Sequence, residues 1–124
     1  SFAYQAYNFF NLDATISWAK KLGIRVRPEI LRVPLWDSIR SLPVTVRHPY
    51  IQWMINKYEQ DDTEWIGRLV LPVLYNLLAD DVEYDIKKFV ENTKRFDIVR
   101  KQHIKDYIPR VYSIIKDEYD SLNL

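Results

Sequence analysis

Only two glycines, Gly23 and Gly67, occur among 124 residues. Tight β-hairpins depend on glycine for the positive φ of their turns, so this scarcity argues against a hairpin-rich all-β fold. The length suits one domain or a piece of a larger one, and an apolar fraction of 48% supplies a core. With 18 basic residues against 17 acidic ones, the chain lies outside the charged, hydrophobe-poor class that stays disordered. The absence of cysteine excludes disulfides, thiolate metal sites, iron–sulfur ligation and a cysteine nucleophile within this chain.

The longest strongly apolar run, Leu69 to Leu78, is interrupted by Pro72 and falls short of the roughly 20 residues a bilayer span requires. A protein without a membrane segment, located in the cytoplasm, is therefore expected. The opening residues Ser1 to Tyr7 have no initiator Met and no signal-peptide layout. Ser1 reads as a cut end or an internal start.

Phe2 to Tyr7 places aromatic side chains on both parities, the pattern of a buried strand. Leu12, Ile16, Ala19 and Leu22 follow at helical spacing, with Asn11 or Asp13 as N-cap and Gly23 positioned to end the helix. Ile24 to Ile30 alternates again and reads as a second strand near a sheet edge, because Pro28 has no N–H for a ladder. Strand, helix and strand within about thirty residues predict a βαβ unit with parallel strands.

From Pro34 onward the pattern is helical. A helix after Pro43 is expected to run through Val46, Tyr50, Trp53, Met54 and Tyr58, kinked or restarted at Pro49. The next starts near Asp62 and runs through Trp65 to Leu78, interrupted at Pro72. Asp80-x-x-Glu83 has capping-box spacing and predicts a helix with Val82, Ile86, Phe89, Thr93 and Phe96 on its buried face. The last spans roughly Ile108 to Ser121, with Pro109 in its first turn and Ile108, Val111, Ile115 and Tyr119 inward. The expected core comprises Trp65, Leu69, Val73, Leu77, Ile86, Phe89, Phe96, Ile108, Val111 and Ile115. Without repeats or Gly/Ser linkers, residues 1–124 read as a single unit: α/β over 1–33, helical over 34–124, mostly α overall.

Three motifs carry a resemblance: Ala6 to Leu12 with the helix end Lys21 to Ile24; Ile30 to Pro43, containing Ser38-Ile39-Arg40 and Leu42-Pro43; and Thr93-Lys94-Arg95-Phe96-Asp97-Ile98-Val99-Arg100 followed by Pro109. In this order the chain resembles the C-terminal portion of the twitch-domain-containing radical S-adenosylmethionine proteins of phages and bacteria. Asp37 and Phe96 stand where that family usually has Leu. The resemblance implies that residues 1–33 are the last βαβ of a partial (β/α)6 barrel and that 34–124 form a helical tail. It also implies that S-adenosylmethionine and a [4Fe–4S] cluster are bound only if an upstream barrel is present. No cofactor is expected in this chain, which would not be catalytic alone.

Ligands of such a barrel sit at the C-terminal ends of its strands, which selects Asn8, Glu29, Leu31 and Arg32. Asn8 and Arg32 would hold polar or carboxylate groups of S-adenosylmethionine, or, more plainly, Asn8 caps a turn and Arg32 is a solvated charge. Thr93, Asp97 and Arg100 share a helical face at i, i+4 and i+7, where an Asp97–Arg100 pair would fix the helix to its neighbour. His48 and His103 stand alone, without metal-ligand spacing, and read as surface or cap residues. No glycine flanks Ser38 or Ser41 as a nucleophile elbow would require.

Charge is segregated. Residues 20–47 carry seven bases (Lys20, Lys21, Arg25, Arg27, Arg32, Arg40, Arg47), whereas residues 61–91 carry eight acids against three bases. The basic block would suit a phosphate backbone, with Trp36 or Tyr50 stacking on bases, but the two blocks are expected to neutralise each other, which disfavours nucleic acid. Two functional readings follow: a cluster-lacking segment of a radical S-adenosylmethionine protein, or a small accessory module that docks on a partner protein. Residues 1–10 are expected to pair with another protein chain or with a second copy through an uncovered strand, as a missing upstream barrel predicts, whereas an independent module predicts that the chain's own helices close over both faces of the sheet.

Overall fold

The alternating segments at the start do pair, but briefly. The computed structural model describes residues 1–124. In it β1 (Phe2–Tyr4) lies parallel to β2 (Pro28–Ile30), with Phe2 opposite Pro28, Ala3 opposite Glu29 and Tyr4 opposite Ile30. Between them α1 (Leu12–Leu22) buries Leu12, Ile16 and Ala19 and ends at Gly23. Gly23 has φ +70°, the left-handed conformation that a residue with a Cβ resists.

The partial-barrel expectation is corrected here. The sheet has two strands, Ala3 and Glu29 on its outer face are exposed, and everything after β2 is helical. A preceding barrel strand would have to pair with the outer edge of β1. That edge is occupied by the chain itself: the Asn8 side-chain amide donates to the Ala3 carbonyl at 2.8 Å while its oxygen accepts from Gln5 N–H at 2.9 Å. The fold is a small two-stranded parallel sheet joined to a mostly helical bundle. Nor is β1 buried on both faces, since Tyr4 is inward and Ala3 outward.

Two short 3₁₀ turns (Leu35–Asp37 and Ile39–Ser41) lead into α2 (Val44–Tyr58). Pro49 does not restart α2, which runs as one continuous helix through it. The missing Pro49 N–H falls near the start of the helix, opposite the carbonyl of exposed Thr45, where water can take its place. Pro72 is handled differently. A π turn at Ile66–Val70, in which Leu71 N–H bonds the Ile66 carbonyl, precedes α3 (Leu71–Leu78), and Pro72 then falls in the first turn of α3, where no intrahelical donor is required.

Asp80 and Glu83 do not open the next helix. That helix, α4 (Ile86–Arg100), is capped by Asp85, whose side chain accepts from Lys87 N–H. Its buried residues are Phe89, Val90, Thr93 and Asp97, whereas Phe96 is 53% exposed and Val82 lies outside the helix and is exposed. The short α5 (Ile104–Tyr107) is capped by His103, and α6 (Pro109–Ser121) buries Val111, Ile115 and Tyr119. Of the expected core, Leu77, Phe89, Val111 and Ile115 are buried; Trp65, Val73, Ile86 and Ile108 pack at its margin.

One cluster of 22 buried residues extends from Tyr4 to Tyr119. Tyr4 stacks on Phe9 with ring centroids 5.5 Å apart and donates its hydroxyl to the Phe9 carbonyl at 2.6 Å. Tyr58 on α2 donates to Asp13 Oδ1 on α1 at 2.5 Å. Tyr7 packs on Phe89 and its hydroxyl lies 2.8 Å from Thr93 Oγ1, joining the segment after β1 to α4. Strands and helices thus share one core. No helix is long and apolar enough to cross a membrane.

Candidate functional site: a cleft at the exit of the second strand

The sheet has two outer edges, and they differ. In the β1–β2 ladder Phe2 N–H bonds the Arg27 carbonyl and Leu31 N–H bonds the Tyr4 carbonyl, so Glu29 turns its backbone groups toward β1. By the same alternation Pro28 C=O and Ile30 N–H point away from it. On β1 the equivalent outward pair, Ala3 C=O and Gln5 N–H, is met by Asn8. On β2 no hydrogen bond of the chain reaches the Pro28 carbonyl or the Ile30 N–H, but Pro28 is buried and Ile30 half-buried, so the fold covers this edge by packing instead. Pro28, read from the sequence as an edge residue, turns its donorless nitrogen to this outer side.

A cleft of about 580 Å³ lies at the exit of β2. Ile30, Leu31, Arg32 and Leu35 line one side, Val73, Asn76 and Leu77 of α3 another, and Arg40, Asp80 and Tyr84 its polar end. That end is rigidly tied. Arg40 Nε donates to Asp80 Oδ2 at 2.8 Å, its Nη1 to the Tyr84 hydroxyl at 3.2 Å, and Tyr84 N–H returns to the Arg40 carbonyl at 2.7 Å. Burial pushes the Asp80 carboxyl up, but the bonds from Arg40 and from Val82 N–H outweigh it and hold the group below its usual range.

The segment 79–85 is fastened to the start of α2 by further bonds. Glu83 Oε1 accepts from Val44 N–H at 2.6 Å and so caps α2 from a distance. Arg47, only 2% exposed, donates to the Val82 carbonyl at 2.7 Å, and desolvation lowers its pKa. His48 Nε2 lies 3.0 Å from the Asp80 carbonyl. Together with Lys20–Asp61 at 2.5 Å and Arg40–Asp80, these contacts bring the basic and acidic blocks together. Lys21, Arg25, Arg27 and Arg32 make no ion pair. Positive charge therefore remains around β2. Tyr50 is buried and unavailable for base stacking, and Trp36 carries the Lys88 ammonium 5.5 Å from its ring centre.

The residues selected from the sequence do not converge. Asn8 closes the β1 edge, Glu29 accepts from Ser1 Oγ at 3.2 Å on the solvent face, and Leu31 and Arg32 line the cleft. Thr93 donates to the Phe89 carbonyl, one turn back on its own helix. Asp97 does not pair with Arg100, whose guanidinium stands 5.1 Å from the Phe96 ring centre. The Asp97 carboxylate, 2% exposed, instead accepts from Tyr107 Oη at 2.5 Å, Tyr119 Oη at 2.6 Å and Ile104 N–H at 2.9 Å. It locks α4, α5 and α6 together. Burial first, then the bond to Asp97, lifts the Tyr107 and Tyr119 phenols well above the ordinary tyrosine range.

No group of three His, Cys, Asp or Glu side chains is arranged to hold a metal ion, and the chain has no thiolate for a cluster. With the barrel corrected as well, the radical S-adenosylmethionine and twitch-domain terms have no structural support. No protein-family model, curated protein or solved structure matches the chain. What sequence reasoning missed was the cleft at the exit of β2, because the α3 residues and the 79–85 segment that close it lie far along the chain.

Proposed function

We propose that the chain is a small accessory module that acts by docking on a partner protein, and that it docks through the cleft where β2 ends rather than through residues 1–10. The observation that carries this reading is that cleft, where Ile30, Leu31, Leu35, Val73 and Leu77 present apolar surface beside Arg32, a base without an ion pair. An apolar groove rimmed by charge is a surface that a partner chain fits. The residues leaving β2 add apolar surface, with Val33 77% and Leu35 59% exposed. Residues 1–10 offer less: Tyr4, Ala6 and Phe9 are buried in the chain's own core, and the β1 edge is filled by Asn8.

The test is site-specific photocrosslinking in cells of the natural host, with the reactive group placed at Arg32 or, as a control, at Glu118. A discrete protein adduct is expected from position 32, suppressed by excess unmodified chain and absent from position 118. No adduct at 32, or equal adducts at both positions, contradicts docking at this surface.

A further inference from the structure

We infer that a second pocket, formed where α2, α6 and the turn before α1 meet, binds a small aromatic monocarboxylate. Its volume is about 390 Å³, within the range of small-ligand sites, and it shares no lining residue with the cleft at the exit of β2. Helical spacing assembles it. Val46, Pro49 and Trp53 stand at i, i+3 and i+7 on α2, and Arg110 and Ile114 at i and i+4 on α6, so each helix turns one face to the pocket. Phe10, from the turn that precedes α1, supplies a further wall. Pro49 is exposed and Trp53 is 49% exposed, so the apolar side of the pocket is open to a ligand.

The polar groups select an anion. No carboxylate lines the pocket. Asp13, whose N–H donates to the Tyr50 hydroxyl at 3.4 Å, has its carboxylate committed to Lys57 at 2.8 Å and Tyr58 at 2.5 Å. The Tyr50 hydroxyl donates to the Phe10 carbonyl at 3.2 Å and the Ser113 hydroxyl to the Arg110 carbonyl at 2.6 Å, which commits both protons. Arg110 is different. Its guanidinium stands 3.9 Å from the Phe10 ring centre and 5.3 Å from that of Tyr50, and it makes no ion pair within the fold. Stacking on Phe10 positions the group and leaves the N–H donors in its plane free to fork a carboxylate. One unpaired cation matches one negative charge, whereas a phosphate dianion would carry unmet charge against apolar walls. The body of the ligand follows from those walls: Phe10, Tyr50 and Trp53 present rings, which meet another ring edge to face or offset.

The experiment is a proton–nitrogen correlation NMR titration of the full chain at constant pH, with phenylpropionate and indoleacetate as probes. The primary amide of each acid, acetate and inorganic phosphate serve as comparisons. Both acids are expected to give saturable shifts of the Trp53 indole N–H and of the Ser113 and Ile114 amides, and to bind at least about tenfold more tightly than their amides. Acetate and phosphate should leave these signals in place. Arg110→Gln should weaken both acids at least about tenfold and leave the circular-dichroism spectrum unchanged, because Arg110 is exposed. Arg32→Gln, in the other cleft, should leave binding unchanged. The contrast of acid with amide is read on the parent chain and so holds whether or not a variant folds. No saturable shift with either acid at millimolar concentration, equal binding of acid and amide, binding of acetate or phosphate as tight as that of the aromatic acids, or full retention of binding by Arg110→Gln overturns the inference.

Discussion

Asn8 Nδ2 lies 2.8 Å from the carbonyl oxygen of Ala3, so a side chain of the β1–α1 connection stands where a neighbouring strand would be. One residue thereby closes the β1 edge to a neighbouring strand.

Asn8→Ala removes that block. Two hydrogen bonds are lost, at a cost of about 1–3 kcal/mol, and the uncovered β1 edge becomes a template for a strand of another copy. Sedimentation should show association that grows with concentration in the variant and exceeds that of the parent chain. Identical masses for the two across the micromolar range would mean that Asn8 does not guard the edge.

Phe89 and Phe96 separate the observed phase of α4 from the one read off the sequence. Phe89 is fully buried and Phe96 is half exposed, so Phe89→Ala should cost about 3–5 kcal/mol in a denaturant titration. Phe96→Ala should stay within about 0.5 kcal/mol. Equal losses would contradict the packing of α4.

The Asp97 cluster makes a prediction about alkaline pH. Tyr107 and Tyr119 have folded pKa values raised above the unfolded value near 10, so the folded state retains protons that the unfolded state loses. Stability from these phenols is full below pH about 10 and falls as pH rises further. Urea midpoints should drop above that pH, and Tyr107→Phe with Tyr119→Phe should flatten the drop while lowering stability at neutral pH. Asp97→Ala leaves Ile104 N–H and two phenols without their acceptor and should cost about 2–5 kcal/mol at pH 7. An alkaline profile unchanged by the Phe substitutions would remove Asp97 and its tyrosines from the explanation.

Local signals were legible in the sequence wherever the deciding contact is local. Gly23 ends α1 through its own backbone, and Pro109 with the Val111, Ile115, Tyr119 spacing marks α6. Contacts from distant segments were not legible. The spacing pairs Asp97 with Arg100 on its own helix, whereas its actual partners are tyrosine hydroxyls from residues 107 and 119. Glu83 has capping-box spacing to Asp80 yet caps α2, since the loop carrying it folds back across Val44. Pro72 reads as a break, while the π turn before it lets the helix continue. For the site, the basic run gave the charge around β2, but nothing local says that the Asn8 side chain closes the β1 edge or that α3 walls a cleft beside Leu31 and Arg32.

Backbone amide hydrogen exchange, followed residue by residue by NMR, tests the arrangement of the sheet most directly. Gln5, Glu29 and Leu31 amides should be protected, the first by the Asn8 side chain and the others by β1. Asn8→Ala should speed exchange at Gln5 by at least about tenfold while Glu29 and Leu31 stay protected. Exchange at Gln5 unchanged by the substitution, or Glu29 and Leu31 exchanging as freely as exposed loop amides, would contradict a parallel pair whose β1 edge is closed by Asn8.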